Sequence, residues 1–162
     1  MMPSETKITV HWKSLDDCKQ FAAKLAKYID APITIRLDGT LGAGKTQFTK
    51  FFAEALGANS DDVTSPTFVL IHRYETTPII YHLDAYRVGD EDEFLELGVE
   101  ELFEEPAITL IEWGEKYASV LPHDHLVIAI EIDVDSENSR VVDVSGSGPR
   151  ARLVVDRLQE SL

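Results

Sequence analysis

Eight consecutive residues, Gly39-Thr40-Leu41-Gly42-Ala43-Gly44-Lys45-Thr46, constrain this chain more than any other stretch. They fit G-x-x-x-x-G-K-[ST], a loop whose backbone turns its N–H groups toward one point. Glycines permit that backbone and let phosphate oxygens approach it closely. A helix starting directly after the loop adds the positive end of its dipole. In such a loop Lys45 reaches the β- and γ-phosphates and the Thr46 hydroxyl ligates magnesium. The flanks agree. Ile33-Thr34-Ile35-Arg36-Leu37-Asp38 reads as a strand, alternating so that one face is only partly covered. A helix is predicted from about Lys45 to Leu56, with Phe48, Phe51, Phe52, Ala55 and Leu56 inward and Gly57 as its stop. The expected ligands are ATP or ADP with Mg2+, held by Gly39, Leu41, Gly42, Ala43, Gly44, Lys45, Thr46 and Gln47.

The remaining pattern interleaves strands and helices. Residues 8–12 alternate like a strand, and Ser14 caps a helix with Asp16 and Asp17 in its first turn. Its apolar face is Leu15, Cys18, Phe21, Ala22, Leu25, Tyr28 and Ile29, and Ala31-Pro32 ends it. Two apolar runs, residues 68–71 and 79–83, flank Thr76-Thr77-Pro78 as a hairpin. Residues 89–105 form an acidic helical region without Lys or Arg. Strands follow at 108–111, 126–132 and 141–144, then a short helix over about 149–158. The predicted fold is α/β, a P-loop NTPase-like mixed sheet flanked by helices, as a single domain over residues 1–162.

Charge narrows the partners. Fifteen Lys and Arg stand against 29 Asp and Glu, a net charge of −14. Such a surface repels phosphate backbones, so autonomous nucleic-acid binding is not expected. No apolar run is long enough to span a membrane and no signal-peptide core is present, which points to the cytoplasm. The single cysteine, Cys18, reads as a small core residue.

Asp84 and Glu112 each end an apolar strand, where α/β sheets place their ligands. Carboxylates there hold magnesium or orient an attacking water, although acidic residues also mark ordinary strand exits. His82 shares a strand face with Asp84, and either a His–Asp hydrogen bond or a neighbouring loop satisfies it. Arg87 is open between complementing phosphate charge and pairing with the acidic region. The hydroxyl-rich loop Thr64-Ser65-Pro66-Thr67 lies where a switch senses the γ-phosphate in P-loop proteins, or is a plain polar loop.

Together these residues resemble the TsaE family of bacterial ATPases. The matching pieces are Leu41-Gly42-Ala43-Gly44-Lys45-Thr46, Ser65-Pro66-Thr67-Phe68, His82-Leu83-Asp84-Ala85-Tyr86-Arg87, Glu96-Leu97-Gly98 and Ile111-Glu112-Trp113, over roughly residues 6–133. The resemblance implies ATP hydrolysis in support of threonylcarbamoyl transfer to the adenosine next to the tRNA anticodon. It implies TsaB and TsaD homologues as partners, with tRNA met only through the complex. It further implies Thr46 and Glu112 as magnesium ligands, Asp84 as the Walker-B-like carboxylate, Ser65 and Thr67 as the switch, and Trp113 packed near the site. The segment around Ser14 to Asp17 is expected near the adenine. Lys45, Asp84, Glu112 and Thr67 are thus the candidate catalytic residues, with Ser65 among those contacting nucleotide. The chain departs from the family pattern at Thr40, Gln47 and Ala85.

Two other functions fit a P-loop. A small-molecule or nucleoside kinase generally needs several basic residues around the phosphates, and no Lys or Arg lies between Arg87 and Lys116 to form a basic lid. A nucleotide-dependent interaction module with little turnover is the non-enzyme alternative. A GTPase is disfavoured because no N-K-x-D signature occurs.

Overall fold

The structure, a computed structural model, describes residues 6–63 and 71–162. In chain order the elements are β1 (Thr6–Trp12), α1 (Leu15–Tyr28), β2 (Ile33–Asp38), α2 (Lys45–Ala55), β3 (Ile71–Tyr74), β4 (Ile80–Asp84), α3 (Glu91–Glu96), α4 (Val99–Glu104), β5 (Ile108–Glu112), β6 (His125–Asp133), β7 (Ser136–Gly146) and α5 (Pro149–Ser161). Short 3₁₀ turns cover Ser60–Asp62 and Gly114–Val120. The strands form one seven-stranded sheet in the order β1-β7-β6-β2-β5-β4-β3. Its centre is parallel, with β2 between β5 and β6, and β4 beside β5. Its margins are antiparallel, β3 on β4 at one side and β7 joining β6 to β1 at the other. This is the mixed α/β sheet that the sequence predicts.

Each face carries its own core. Under α1, α2 and α5, Trp12, Phe21, Phe48 and Phe52 make a chain of ring contacts, with Trp12 stacked on Phe48 at 5.9 Å and Phe48 on Phe52 at 5.8 Å. On the other face Phe94 stacks on Tyr117 at 4.5 Å over Leu83, Val99 and Ile111. The alternation within β2 has a simple cause. Ile33, Ile35 and Leu37 are buried, while Arg36 is only half-buried against the backbone at Gly114.

Three local expectations change. Leu15 is 66% exposed, because as the first residue of α1 it lies beyond the edge of the packed face. In α2 the inward positions are Lys45, Phe48, Thr49, Phe52 and Ala53, whereas Ala55 is exposed. That set follows a 3.6-residue period closely, and Ala55 falls outside its stripe. The acidic region is two short helices, because Gly98 takes φ +80° between α3 and α4 and breaks the ladder. Ser14 caps α1 as predicted, accepting from the Asp17 amide at 3.2 Å.

Cys18 is 4% exposed, and burial pushes its thiol up to about 12 from 9.0. The unfolded thiol therefore ionises first, so this group makes folding less favourable as pH rises above about 9. The native thiolate population is therefore far below that of the unfolded chain. Alkylation by iodoacetamide at pH 8 is expected to be much slower in native protein than in urea.

Candidate functional site

The carboxyl ends of β2, β4 and β5 open onto one cleft of about 380 Å³. Leu41, Gly42, Ala43, Gly44, Lys45, Thr46 and Gln47 line one wall, and Asp84, Tyr86, Arg87, Glu112 and Trp113 the other. The first wall follows from the β2–α2 connection. Gly44 caps α2 with φ +113° and offers no side chain to the helix start. The first N–H groups of α2 thus have no intrahelical acceptor, and no side-chain acceptor among the described residues, and they remain available to an anion. Gly39, the first residue of the predicted loop, lies half-buried just behind this wall.

The second wall is set by strand register. Asp84 and Glu112 are paired neighbours on parallel β4 and β5, so their side chains leave the sheet side by side. Asp84 is half-exposed and accepts from the Tyr86 amide at 2.9 Å, which folds the chain back over the strand end. Glu112 is buried, at 4% exposure, and its carbonyl accepts from the Ala85 amide at 2.9 Å.

His82 does not meet Asp84. Fully buried on β4, it points across the sheet, with Nε2 2.6 Å from Glu112 Oε2 and Nδ1 3.0 Å from the Tyr74 hydroxyl. An ionised carboxylate only accepts, so Nε2 would donate to Glu112, while Nδ1 shares its hydrogen bond with the Tyr74 hydroxyl. The result is a polar line from edge strand β3 through β4 to the cleft. Side-chain reach explains the departure from the sequence reading: the carboxylate on β5 projects to the ring, whereas Asp84 turns to its own loop.

Lys45 is buried between the walls. Its ammonium donates to the Gly39 carbonyl at 2.6 Å and lies 3.4 Å from the centroid of the Trp113 ring. Loss of hydration lowers its pKa, and Glu112, Glu115, Asp84 and Asp38 oppose that shift. Trp113 holds this place with φ +64°, a left-handed conformation that is costly outside glycine and often found at functional sites. Its ring also touches that of Tyr86 at 5.1 Å. Arg87 is exposed at the cleft mouth.

Behind the loop, a recess of about 80 Å³ is lined by Trp12, Ser14, Leu15, Cys18, Ala43, Gly44, Gln47, Asn138 and Arg140. The exposure of Leu15 belongs to this recess. Sequence patterning places Leu15 and Cys18 on the buried face of α1, and their apolar character carries no signal that separates core from recess. Ser65 and Thr67 lie outside the described residues.

A glycine-rich loop between a central parallel strand and a helix, faced by strand-end carboxylates, defines a P-loop nucleotide-binding protein. The family model described as "Threonylcarbamoyl adenosine biosynthesis protein TsaE" matches residues 12–142, and the chain belongs to that family. Among its relatives, the tRNA threonylcarbamoyladenosine biosynthesis protein TsaE of Bacillus subtilis is 35% identical over 91% of this chain and 92% of its own. The protein of the same name from Aquifex aeolicus is 38% identical over 82% and 91%. The crystal structure of Bacillus subtilis YdiB superposes with a TM-score of 0.81 at 27% identity, covering 98% of both chains.

Removing the His82 ring takes from the buried Glu112 carboxylate its hydrogen-bond partner, at a cost of about 1–3 kcal/mol. His82→Ala is expected to lower the urea midpoint accordingly. His82→Gln, which retains one of the two bonds, is expected to lose less.

Proposed function

We propose that this chain is an ATP-binding and ATP-hydrolysing accessory protein for threonylcarbamoyl modification of the adenosine next to the anticodon in tRNA. The relatives' names support the pathway. The observation that carries the chemistry is the cleft, in which Lys45 and Thr46 face the paired carboxylates Asp84 and Glu112.

The roles follow from the donor set. Backbone amides of residues 42–47 receive the phosphates, and Lys45 exchanges the Gly39 carbonyl for phosphate oxygens. A hydroxyl and two carboxylates are hard oxygen donors, and magnesium is commonly held by one or two carboxylates together with substrate phosphates. Thr46 and Glu112 would hold the ion, which neutralises charge developing on the phosphates. Asp84 accepts a hydrogen bond from the attacking water and orients it. Ser65 and Thr67 act as the γ-phosphate switch. The domain is one P-loop ATPase unit over residues 1–162.

Partners are assigned by charge and by family. With a net charge of −14, the surface is a poor tRNA ligand, and TsaB and TsaD homologues hold the tRNA instead. No helix among the described residues is long and apolar enough to cross a membrane, and the cytoplasm is the proposed location.

Lys45→Ala is expected to weaken ATP affinity by about a hundredfold in calorimetry, from loss of a charged phosphate contact. Glu112→Ala is expected to lower magnesium-dependent phosphate release by about 10²–10³. Full hydrolysis in Glu112→Ala would remove that carboxylate from the mechanism. The pathway itself is tested by reconstitution with TsaB and TsaD homologues, tRNA, ATP and the threonylcarbamoyl donor. Modified adenosine is expected to exceed one per complex only when this chain is present. An equal yield without it, despite tight ATP binding, would remove the tRNA assignment and leave the nucleotide site standing.

A further inference from the structure

The β6–β7 hairpin meets the phosphate loop at two points. On β6, the Ile130 carbonyl oxygen lies 2.7 Å from where a Cβ at Gly39 would stand, so only glycine admits this approach. On β7, Arg140 reaches the other end of the loop. Its Nε donates to the Ala43 carbonyl at 2.7 Å, and one terminal nitrogen lies 3.5 Å from the Gly42 carbonyl. The second terminal nitrogen donates to the carbonyls of Glu137 and Ser139 at 2.6 and 3.0 Å, within its own hairpin. The guanidinium is planar, so anchoring one edge in the hairpin fixes the direction of the edge that faces the loop. Among the described residues, Arg140 forms no ion pair with a carboxylate. Its positive charge is directed at loop carbonyls.

Peptide planarity gives these bonds a consequence on the opposite side of the loop. In a trans peptide the carbonyl and the following N–H point in opposite directions. Holding the Ala43 carbonyl toward Arg140 therefore turns the Gly44 N–H away from Arg140. Gly44, at φ +113°, is a residue whose backbone resists rotation least. Its N–H donates to no backbone carbonyl among the described residues. The Ala43 amide is bonded to the Thr40 carbonyl and the Gly44 carbonyl to the Phe48 amide, and Arg140 adds the bond that acts on the peptide between them.

We infer that Arg140 is a positioning residue for nucleotide binding, holding the Ala43–Gly44 peptide so that the Gly44 N–H is presented to a phosphate. The inference rests on the nucleotide reading given above. Arg140 acts through the loop, and its partners are main-chain carbonyls.

The test compares wild type, Arg140→Ala, Arg140→Lys and Lys45→Ala by calorimetry with ATP and with ADP. Arg140→Ala is expected to weaken both nucleotides about tenfold, the loss typical of one charged hydrogen bond. Arg140→Lys keeps the charge but loses the fork, and is expected to recover less than half of that loss. A second readout separates positioning from general stability. In nucleotide-free protein, Arg140→Ala is expected to shift and broaden the Gly44 amide resonance while leaving those of Ile128 and Val142 in place. Wild-type affinity in a folded Arg140→Ala or Arg140→Lys variant overturns the inference, and so does an unmoved Gly44 resonance. If Arg140→Ala does not fold, Arg140→Lys decides. Should wild type and Lys45→Ala bind nucleotide equally, the nucleotide reading fails, and the Gly44 resonance still tests the brace.

Discussion

A loop that aims its N–H groups at an anion leaves them without protein partners, and the structure around residues 39–46 compensates for that. An unpaired buried amide costs free energy comparable to a lost hydrogen bond. The cost is contained here because the amides open onto a cleft while the opposite face of the loop is tied down. Ala43 is buried, its amide bonded to the Thr40 carbonyl at 3.1 Å and its own carbonyl taken by Arg140. β2 runs in the centre of the sheet, and α2 packs Phe48 and Phe52 into the core. The loop is suspended between two packed elements.

The same cleft gathers charge of both signs in an acidic protein. Lys45 loses hydration but gains Glu112, Asp84 and the Trp113 face, and those neighbours keep a buried ammonium tolerable. Glu112 is buried too, and His82 supplies its second-layer bond, backed by Tyr74 on the edge strand. The cleft carboxylate is thereby oriented by buried residues.

Much of the fold is legible in periodicity. The apolar steps of α1 and the run ending at Glu112 appear near their predicted places, and the hairpin around Thr76-Thr77-Pro78 forms with its first strand at Ile71–Tyr74 rather than 68–71, of which 68–70 lie outside the described residues. Errors arise where local pattern is silent. β7 begins at Ser136 rather than at 141, because Ser136-Glu137-Asn138-Ser139-Arg140 is polar and looks like a turn. It becomes a strand by pairing with β6 and β1, and that pairing brings Arg140 to the loop. Leu15 reads as core because an apolar residue at a helix start has the same signature whether covered or open.

The sequence by itself determined the phosphate loop, the strand–loop–helix around it, the two strand-end carboxylates and the family, because each is a short-range pattern of residue types. Only the tertiary structure decided who stands beside whom. It set Asp84 against Glu112 by parallel register, gave His82 to Glu112 and Tyr74, laid Lys45 on Trp113, and brought a β7 arginine 97 positions along the chain to the Ala43 carbonyl. The physical reason is that periodicity fixes which face a side chain leaves from. Register and strand order fix what it meets, and both are settled by long-range pairing across the sheet.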